Sequence, residues 1–130
     1  MVPKDTLSEM VLGEAIRIHK ELGPGLLESV YETVLEAALL RRGLAVKRQV
    51  PIDIEYDGMR FAQAFRIDLL VDGRLILEIK SVEKLGKAHV KQLLTYLRLT
   101  GLPVGLLLNF SEATMMNGVH RLVNEYKPET

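Results

Sequence analysis

Two carboxylates and a lysine lie close together in an otherwise apolar part of the chain. Asp68 precedes an Asp-Gly turn signal at 72–73, and Glu78 and Lys80 follow it in the run Leu-Ile-Leu-Glu-Ile-Lys. Alternate residues of a strand share a face, so Glu78 and Lys80 point the same way. A strand that is apolar on both faces is typical of a buried, central position. Buried ions are costly unless they are paired or bind a ligand, so the pattern predicts a metal and phosphate site.

An ordinary cross-strand ion pair is the alternative interpretation, and at a surface it would contribute about 0–1 kcal/mol. The apolar run before Glu78 argues against a surface position. A regular two-residue turn at 72–73 would place Asp68 and Glu78 on opposite faces of the sheet. Their convergence requires an odd loop or a bulge. We predict such an irregularity, which a three-residue loop with Gly73 in the left-handed region would provide.

Helical spacing of apolar residues predicts three helices. Their approximate ranges are 7–22, 27–42 and 86–100. Thr6 or Ser8 is the expected N-cap of the first. The expected inner face of the second consists of Val30, Val34, Ala38 and Leu39, and that of the third of Val90, Leu93, Leu94 and Leu97.

Alternating apolar segments joined by Asp-Gly turns predict an antiparallel meander of three strands. Their ranges are 46–56, 59–71 and 75–80. The apolar run 103–109 follows a helix, which predicts a buried strand joined by a parallel crossover. The segment 118–126 is expected to be a last strand or helix. The element order αα-βββ-α-β predicts an α/β three-layer sandwich.

The set Asp68, Glu78 and Lys80, with nine residues between the acids, resembles the motif of the PD-(D/E)XK nuclease superfamily. The run Gly-Leu-Leu-Glu-Ser-Val-Tyr at 25–31 is similar to the GxxExxY signature of a family of small proteins in that superfamily. The resemblance extends from about 19 to 121. It implies one domain over 1–130 with a restriction-endonuclease-like α/β/α core around a central mixed sheet, and metal-dependent phosphodiester hydrolysis.

The resemblance also implies roles for individual residues. Glu28, Asp68 and Glu78 would hold Mg²⁺ or Mn²⁺ through oxygen ligands, and the metal would activate a water. Lys80 would position or deprotonate that water, or neutralise the phosphate. The structural alternative for Glu28 is a favourable position at the start of its helix, where a negative charge suits the helix dipole.

Further residues complete the expected site. By resemblance, Gln92 on the third helix would orient the water or a phosphate, and Tyr31 would brace Glu28 or contact substrate. A basic cluster that follows the site and continues along the third helix to Arg98 is expected to hold a phosphate backbone, and its lysines are Lys84, Lys87 and Lys91. The alternatives are a polar residue at a helix boundary for Gln92 and a solvated charged face for the lysines.

Composition limits the partners. The chain has no net charge, whereas proteins that hold long duplex DNA are usually basic, so we expect local clusters or a homodimer to supply the grip. Only 5% of residues are aromatic and none is Trp, so no stacking platform for single strands is expected. The absence of cysteine excludes disulfides and thiolate metal sites, and it suits a reducing cytoplasm. No apolar run reaches the ~20 residues of a membrane span.

We therefore expect a cytoplasmic, metal-dependent nuclease that acts on nucleic acid, on DNA rather than RNA by resemblance. Two alternatives remain open. One is a non-catalytic module of the same fold that binds nucleic acid or protein. The other is a metal-dependent enzyme for a smaller phosphate compound or nucleotide, although the chain has no Walker-type phosphate loop.

Overall fold

A five-stranded mixed sheet with helices on both faces forms the core of the computed structural model, which describes residues 5–124. The helices are α1 (Thr6–Leu22), α2 (Glu28–Arg41), α3 (Lys87–Thr100) and the short α4 (Met115–Gly118). The strands are β1 (Val46–Tyr56), β2 (Met59–Val71), β3 (Leu75–Lys80), β4 (Val104–Asn109) and β5 (Val119–Val123). The expected α/β fold class is confirmed.

The strands follow one another across the sheet in chain order. β1, β2 and β3 form the predicted antiparallel meander, and β4 pairs in parallel with β3 after the α3 crossover. β5 returns antiparallel to β4, so the last element is a strand. Residues 125 and 126, which we assigned to that element, lie outside the described range.

Each face of the sheet packs against its own helices. Leu69 and Leu77 belong to a cluster with α1 and α2, whereas Ile76 packs with Leu93 and Leu97 of α3. The contact with α3 is close at Gly105, where an added Cβ would lie 2.9 Å from a methyl of Leu93. The two helical layers therefore bury β3 and β4 on both sides, as their apolar sequences predicted.

Two details of the helices differ from expectation. The N-cap of α1 is Asp5, whose carboxylate accepts hydrogen bonds from the Leu7 N–H at 3.1 Å and the Ser8 hydroxyl at 2.9 Å. A carboxylate there satisfies a helix donor and suits the positive end of the helix dipole. In α2 the buried stripe contains Tyr31 and Leu35, while Val30 is 38% exposed. The inner face is therefore rotated from the predicted one.

The loop between β2 and β3 has the predicted irregularity. Val71 pairs with Leu75, which leaves a three-residue loop at 72–74. Asp72 and Gly73 have φ values of 52° and 67° in the left-handed region. This register, continued past the pair Leu69–Leu77, brings Asp68 opposite Glu78.

The hairpin of β1 and β2 changes face at Gln49 and Asp68. Leu69 packs towards α1 and α2 but Ile67 towards α3, although alternate residues of a regular strand share a face. Gln49 has a φ of 51° at the same level of β1. Beyond this point β2 no longer pairs with β3. Residues 50–67 therefore form a two-stranded projection, which we call the arm.

Candidate metal and phosphate site

Asp68 and Glu78 meet where β2 and β3 separate. The Asp68 N–H donates to Glu78 Oε2 at 3.0 Å, and the Ile79 N–H donates to Asp68 Oδ2 at 2.9 Å. Each carboxylate thus accepts a hydrogen bond from a backbone N–H that, in a regular β2–β3 pair, would donate to a carbonyl of the neighbouring strand. The irregular β1–β2 hairpin and the odd loop after β2 are what position the pair.

Burial makes the ionisation of both acids costly. Glu78 is 5% exposed, and burial, with the Asp68 charge adding to it, raises the pKa of Glu78 to about 8. Burial also raises the pKa of Asp68, against the hydrogen bond from the Ile79 N–H, which lowers it. A cation beside both carboxylates would remove this cost, since charge repulsion between them would become attraction to the ion.

Lys80 extends from the same face of β3 as Glu78 and is half-buried. It forms no ion pair within residues 5–124, although its charge lowers the pKa values of Asp68 and Glu78. The Phe110 N–H donates to the Lys80 carbonyl at 2.8 Å. The backbone that carries Lys80 is therefore fixed, while its ammonium group remains available to a phosphate.

Asn109, at the end of β4, holds the loop that follows Lys80. Its side chain is fully buried and exchanges hydrogen bonds with the backbone of Val82, accepting at 3.1 Å and donating at 2.9 Å. In the sequence, Asn109 is recognisable as the polar residue that ends an apolar strand, but we assigned it no role there.

Glu28, in the first turn of α2, does not join the other two acids. It is exposed and accepts a hydrogen bond from the Ser81 N–H at 3.2 Å. Among residues 5–124, no group of three or more histidine, cysteine, aspartate or glutamate residues is placed to hold a metal ion. The structure thus brings Asp68 and Glu78 together and leaves Glu28 at the backbone just after Lys80.

Tyr31 lies in the core. Its ring is fully buried and stacks on Phe110 with centroids 4.4 Å apart. Its hydroxyl donates to the Gly23 carbonyl and accepts from the Leu26 N–H. This position fits the bracing role, because it ties down the loop that leads to Glu28, and it leaves no surface for a substrate contact.

Gln92 and the three lysines are exposed along α3 and the segment before it. The lysines, which form no ion pair with another described residue, are Lys84, Lys87 and Lys91. Tyr96 lies one turn after Gln92. Burial raises the pKa of Tyr96, with contributions from the charges of Glu78 and Asp68. The helix face that carries Gln92 and Tyr96 is therefore within electrostatic reach of the acids.

Glu32 and Gln49 form a further link to the acids that sequence reasoning missed. Glu32 is 6% exposed and accepts hydrogen bonds from Arg48 and from Gln49 Nε2, the latter at 2.9 and 3.1 Å. Gln49 Nε2 also lies 3.4 Å from Asp68 Oδ1. Glu32 lies four residues after Glu28 on the same helix face, where like charges repel, and the cation that pairs with Glu32 is Arg48. The sequence did not indicate the contact of Gln49 with Asp68, because the position of Gln49 depends on the irregularity of β1.

Comparison with known proteins gives a family. Residues 5–122 of the 130 match the PD-(D/E)XK nuclease superfamily. No curated protein and no solved structure matches the chain significantly. None of the helices within residues 5–124 has the length and apolar character needed to cross a membrane. Since the match covers nearly the whole chain and includes the acids and the lysine at the end of β3, the chain belongs to the PD-(D/E)XK nuclease superfamily.

Proposed function

We propose that the protein is a metal-dependent nuclease that hydrolyses phosphodiester bonds at Asp68, Glu78 and Lys80. The observation that carries the proposal is the convergence of a buried carboxylate, Glu78, and a half-buried one, Asp68, beside a lysine that has no ion-pair partner among the described residues. Membership of a nuclease superfamily supports the same reaction class. The signature at 25–31 favours the GxxExxY family within it.

The donor set fits Mg²⁺ or Mn²⁺. These ions prefer oxygen ligands, and Mg²⁺ is commonly bound by one or two carboxylates with waters and substrate phosphates. Asp68 and Glu78 would supply the two carboxylates. When bound, such an ion supplies an activated water and stabilises charge on the phosphorus centre. Glu28 would position the backbone just after Lys80 and would not ligate the ion, because its carboxylate accepts from the Ser81 N–H.

The remaining residues would act on the water and the phosphates. Lys80 faces the same side as Glu78. As the neutral amine it would take the proton of the attacking water, and as the ammonium it would orient that water or neutralise the scissile phosphate. Gln92 would orient the water or a neighbouring phosphate from α3. The lysines that would hold the backbone on either side of the cut are Lys84, Lys87 and Lys91. DNA is the proposed substrate, and a homodimer the proposed assembly.

A cleavage screen tests the proposal. Labelled single-stranded, duplex and flapped DNA and RNA would be incubated with the protein in Mg²⁺, in Mn²⁺ and in EDTA. We expect metal-dependent fragments from the wild type and none from Asp68→Asn, which keeps the shape of the side chain. Glu9→Gln, an exposed acid of α1, serves as the control and should cleave as the wild type does. Equal cleavage by Asp68→Asn would overturn the assignment of the site.

One observation favours a second candidate, a non-catalytic binding module of the same fold. The expected third carboxylate, Glu28, does not join Asp68 and Glu78 among the described residues. Metal binding without cleavage of any nucleic acid in the screen would select this alternative.

A further inference from the structure

One face of the arm is apolar along its whole length. Alternation along β1 puts Ile52, Ile54 and Tyr56 on this face. Their cross-strand partners, which share it, are Phe65, Phe61 and Met59. The opposite face is charged, and there Arg60 and Asp53 form an ion pair at 2.8 Å. The arm is therefore an amphipathic ribbon, and its apolar face requires a cover.

Residues 5–124 cover only half of that face. Near the sheet, Phe65 stacks on Tyr96 of α3 with centroids 4.0 Å apart and rings 10° from parallel. Towards the tip, Tyr56 is 72% exposed, Met59 52% and Phe61 44%. None of these three residues belongs to either hydrophobic cluster of the described chain. Large apolar surface without a cover marks an interaction site.

Aromatic residues are few, and most of those described lie on the apolar face of the arm or stack against it. Of the six Phe and Tyr residues within 5–124, Tyr31 and Phe110 form the core stack. The other four, which we call the aromatic track, are Tyr56, Phe61, Phe65 and Tyr96. Phe65, which stacks on Tyr96, lies on β2 only three residues before Asp68. The track thus runs from the tip of the arm to its base, next to Asp68.

The arm projects past the end of the sheet where Lys80 lies. β2 is antiparallel to β3 and pairs with it only through Leu69, Leu70 and Val71, so the earlier residues of β2 extend beyond the end of β3. The lysines of the segment after β3 begin at that same end. A strand of nucleic acid at the carboxylates would therefore meet both the arm and the lysines that follow β3.

We propose that the aromatic track binds an unpaired stretch of nucleic acid by base stacking and leads it to Asp68 and Glu78. The inference rests on the proposed nuclease function and names its substrate as a single-stranded or locally unpaired strand. Stacking on aromatic side chains beside positive charge is the common mode of binding for unpaired strands. A duplex would not fit the track, because its base faces are already stacked on one another.

A second copy of the chain is a less suitable occupant. The exposed parts of Tyr56, Met59 and Phe61 together amount to roughly 400 Å², about half of the ~800 Å² that each partner contributes to a stable interface. Two or three stacked bases need no more than this area. The low aromatic content had suggested that no stacking platform exists, but the structure concentrates the aromatic residues at one place.

Phe61→Trp provides a direct reporter, because the chain has no other Trp. With EDTA present to prevent cleavage, we expect saturable quenching of its emission by a single-stranded oligothymidine of about 12 nucleotides. A blunt duplex of the same length should quench little.

In anisotropy titrations of the labelled oligonucleotide, the affinity of the double variant Tyr56→Ala with Phe61→Ala should be lower by roughly tenfold or more. Met116→Ala, at an apolar residue of α4 that is 61% exposed, is the matched control and should bind as the wild type does.

Two results would overturn the proposal that the track binds nucleic acid. One is equal quenching by duplex, and the other is unchanged oligonucleotide affinity of the double variant. If that variant also turned a dimer into a monomer, the track would be a contact between two copies of the chain. If the wild type cleaves nucleic acid but binds duplex as well as single strands, the proposed role of the track is wrong and the proposed nuclease activity stands. If the wild type binds single strands as expected but cleaves nothing in Mn²⁺, the nuclease activity is wrong and the track stands as a binding site.

Discussion

Lys80→Met is expected to lower the rate of metal-dependent cleavage by roughly 10²–10³-fold, because it removes a preorganised charge from the place where negative charge develops. The fold should persist, since methionine fills a similar volume and Lys80 forms no ion pair within residues 5–124. Metal affinity should not fall, because a cation is removed from beside the two acids. Single-turnover rates on a labelled oligonucleotide, together with the melting temperature, measure the effect.

Lys20→Met is the control for this prediction. Lys20 is an exposed residue near the end of α1, and its replacement should leave the cleavage rate unchanged. A Lys80→Met protein that cleaves at the wild-type rate would show that Lys80 takes no part in the chemistry.

Arg48→Met is expected to destabilise the fold by roughly 3 kcal/mol, because it leaves Glu32 buried without its cation. The figure is at the low end for a buried pair, since the Arg48 side chain keeps 31% of its surface in solvent while Glu32 keeps 8%. Glu36, 3.5 Å from Arg48, would lose its partner too. Urea unfolding followed by circular dichroism measures the loss of free energy of unfolding.

The matched control is the exposed pair of the arm. Arg60→Met breaks a pair whose side chains are 75% and 44% exposed, so it should cost less than about 1 kcal/mol. Adding Glu32→Gln to Arg48→Met should recover part of the loss, because the buried charge is then gone. A loss for Arg48→Met as small as that for Arg60→Met would contradict the account of Glu32 as a buried charge that depends on Arg48.

The features that could be predicted from the sequence are those set by residue patterns within one helix, strand or turn. Spacing of apolar residues and Asp-Gly turns predicted the order of the elements, apart from the short α4, and nearly all their limits. The odd loop at 72–74 came from a chemical requirement, because only a shifted register brings Asp68 to Glu78. The contact between Gln49 and Asp68 could not be predicted, since it depends on two strands that change face at the same level.

Rotation of α2 accounts for other differences. Val30 and Tyr31 lie about 100° apart around the helix. The rotation of the helix about its axis decides which of them faces the core, and the apolar spacing allows both. The same rotation sets the position of Glu28, which lies at Ser81 and not with the two acids. The exposure of the arm's tip could not be predicted from the sequence either. Apolar residues alternate along β1 in the same way whether or not a helix covers that face of the strand.

Titration of Mn²⁺ by calorimetry, with and without an uncleavable phosphorothioate oligonucleotide, tests the central claim that Asp68 and Glu78 hold a divalent cation. We predict binding by the wild type and none by Asp68→Ala, whose thermal melt should remain cooperative. Because burial raises the pKa of Glu78 to about 8, metal must displace a proton at lower pH, and the affinity should fall by roughly tenfold per pH unit below that value. Absence of binding by the wild type both with and without the oligonucleotide, or undiminished binding by Asp68→Ala, would contradict the account.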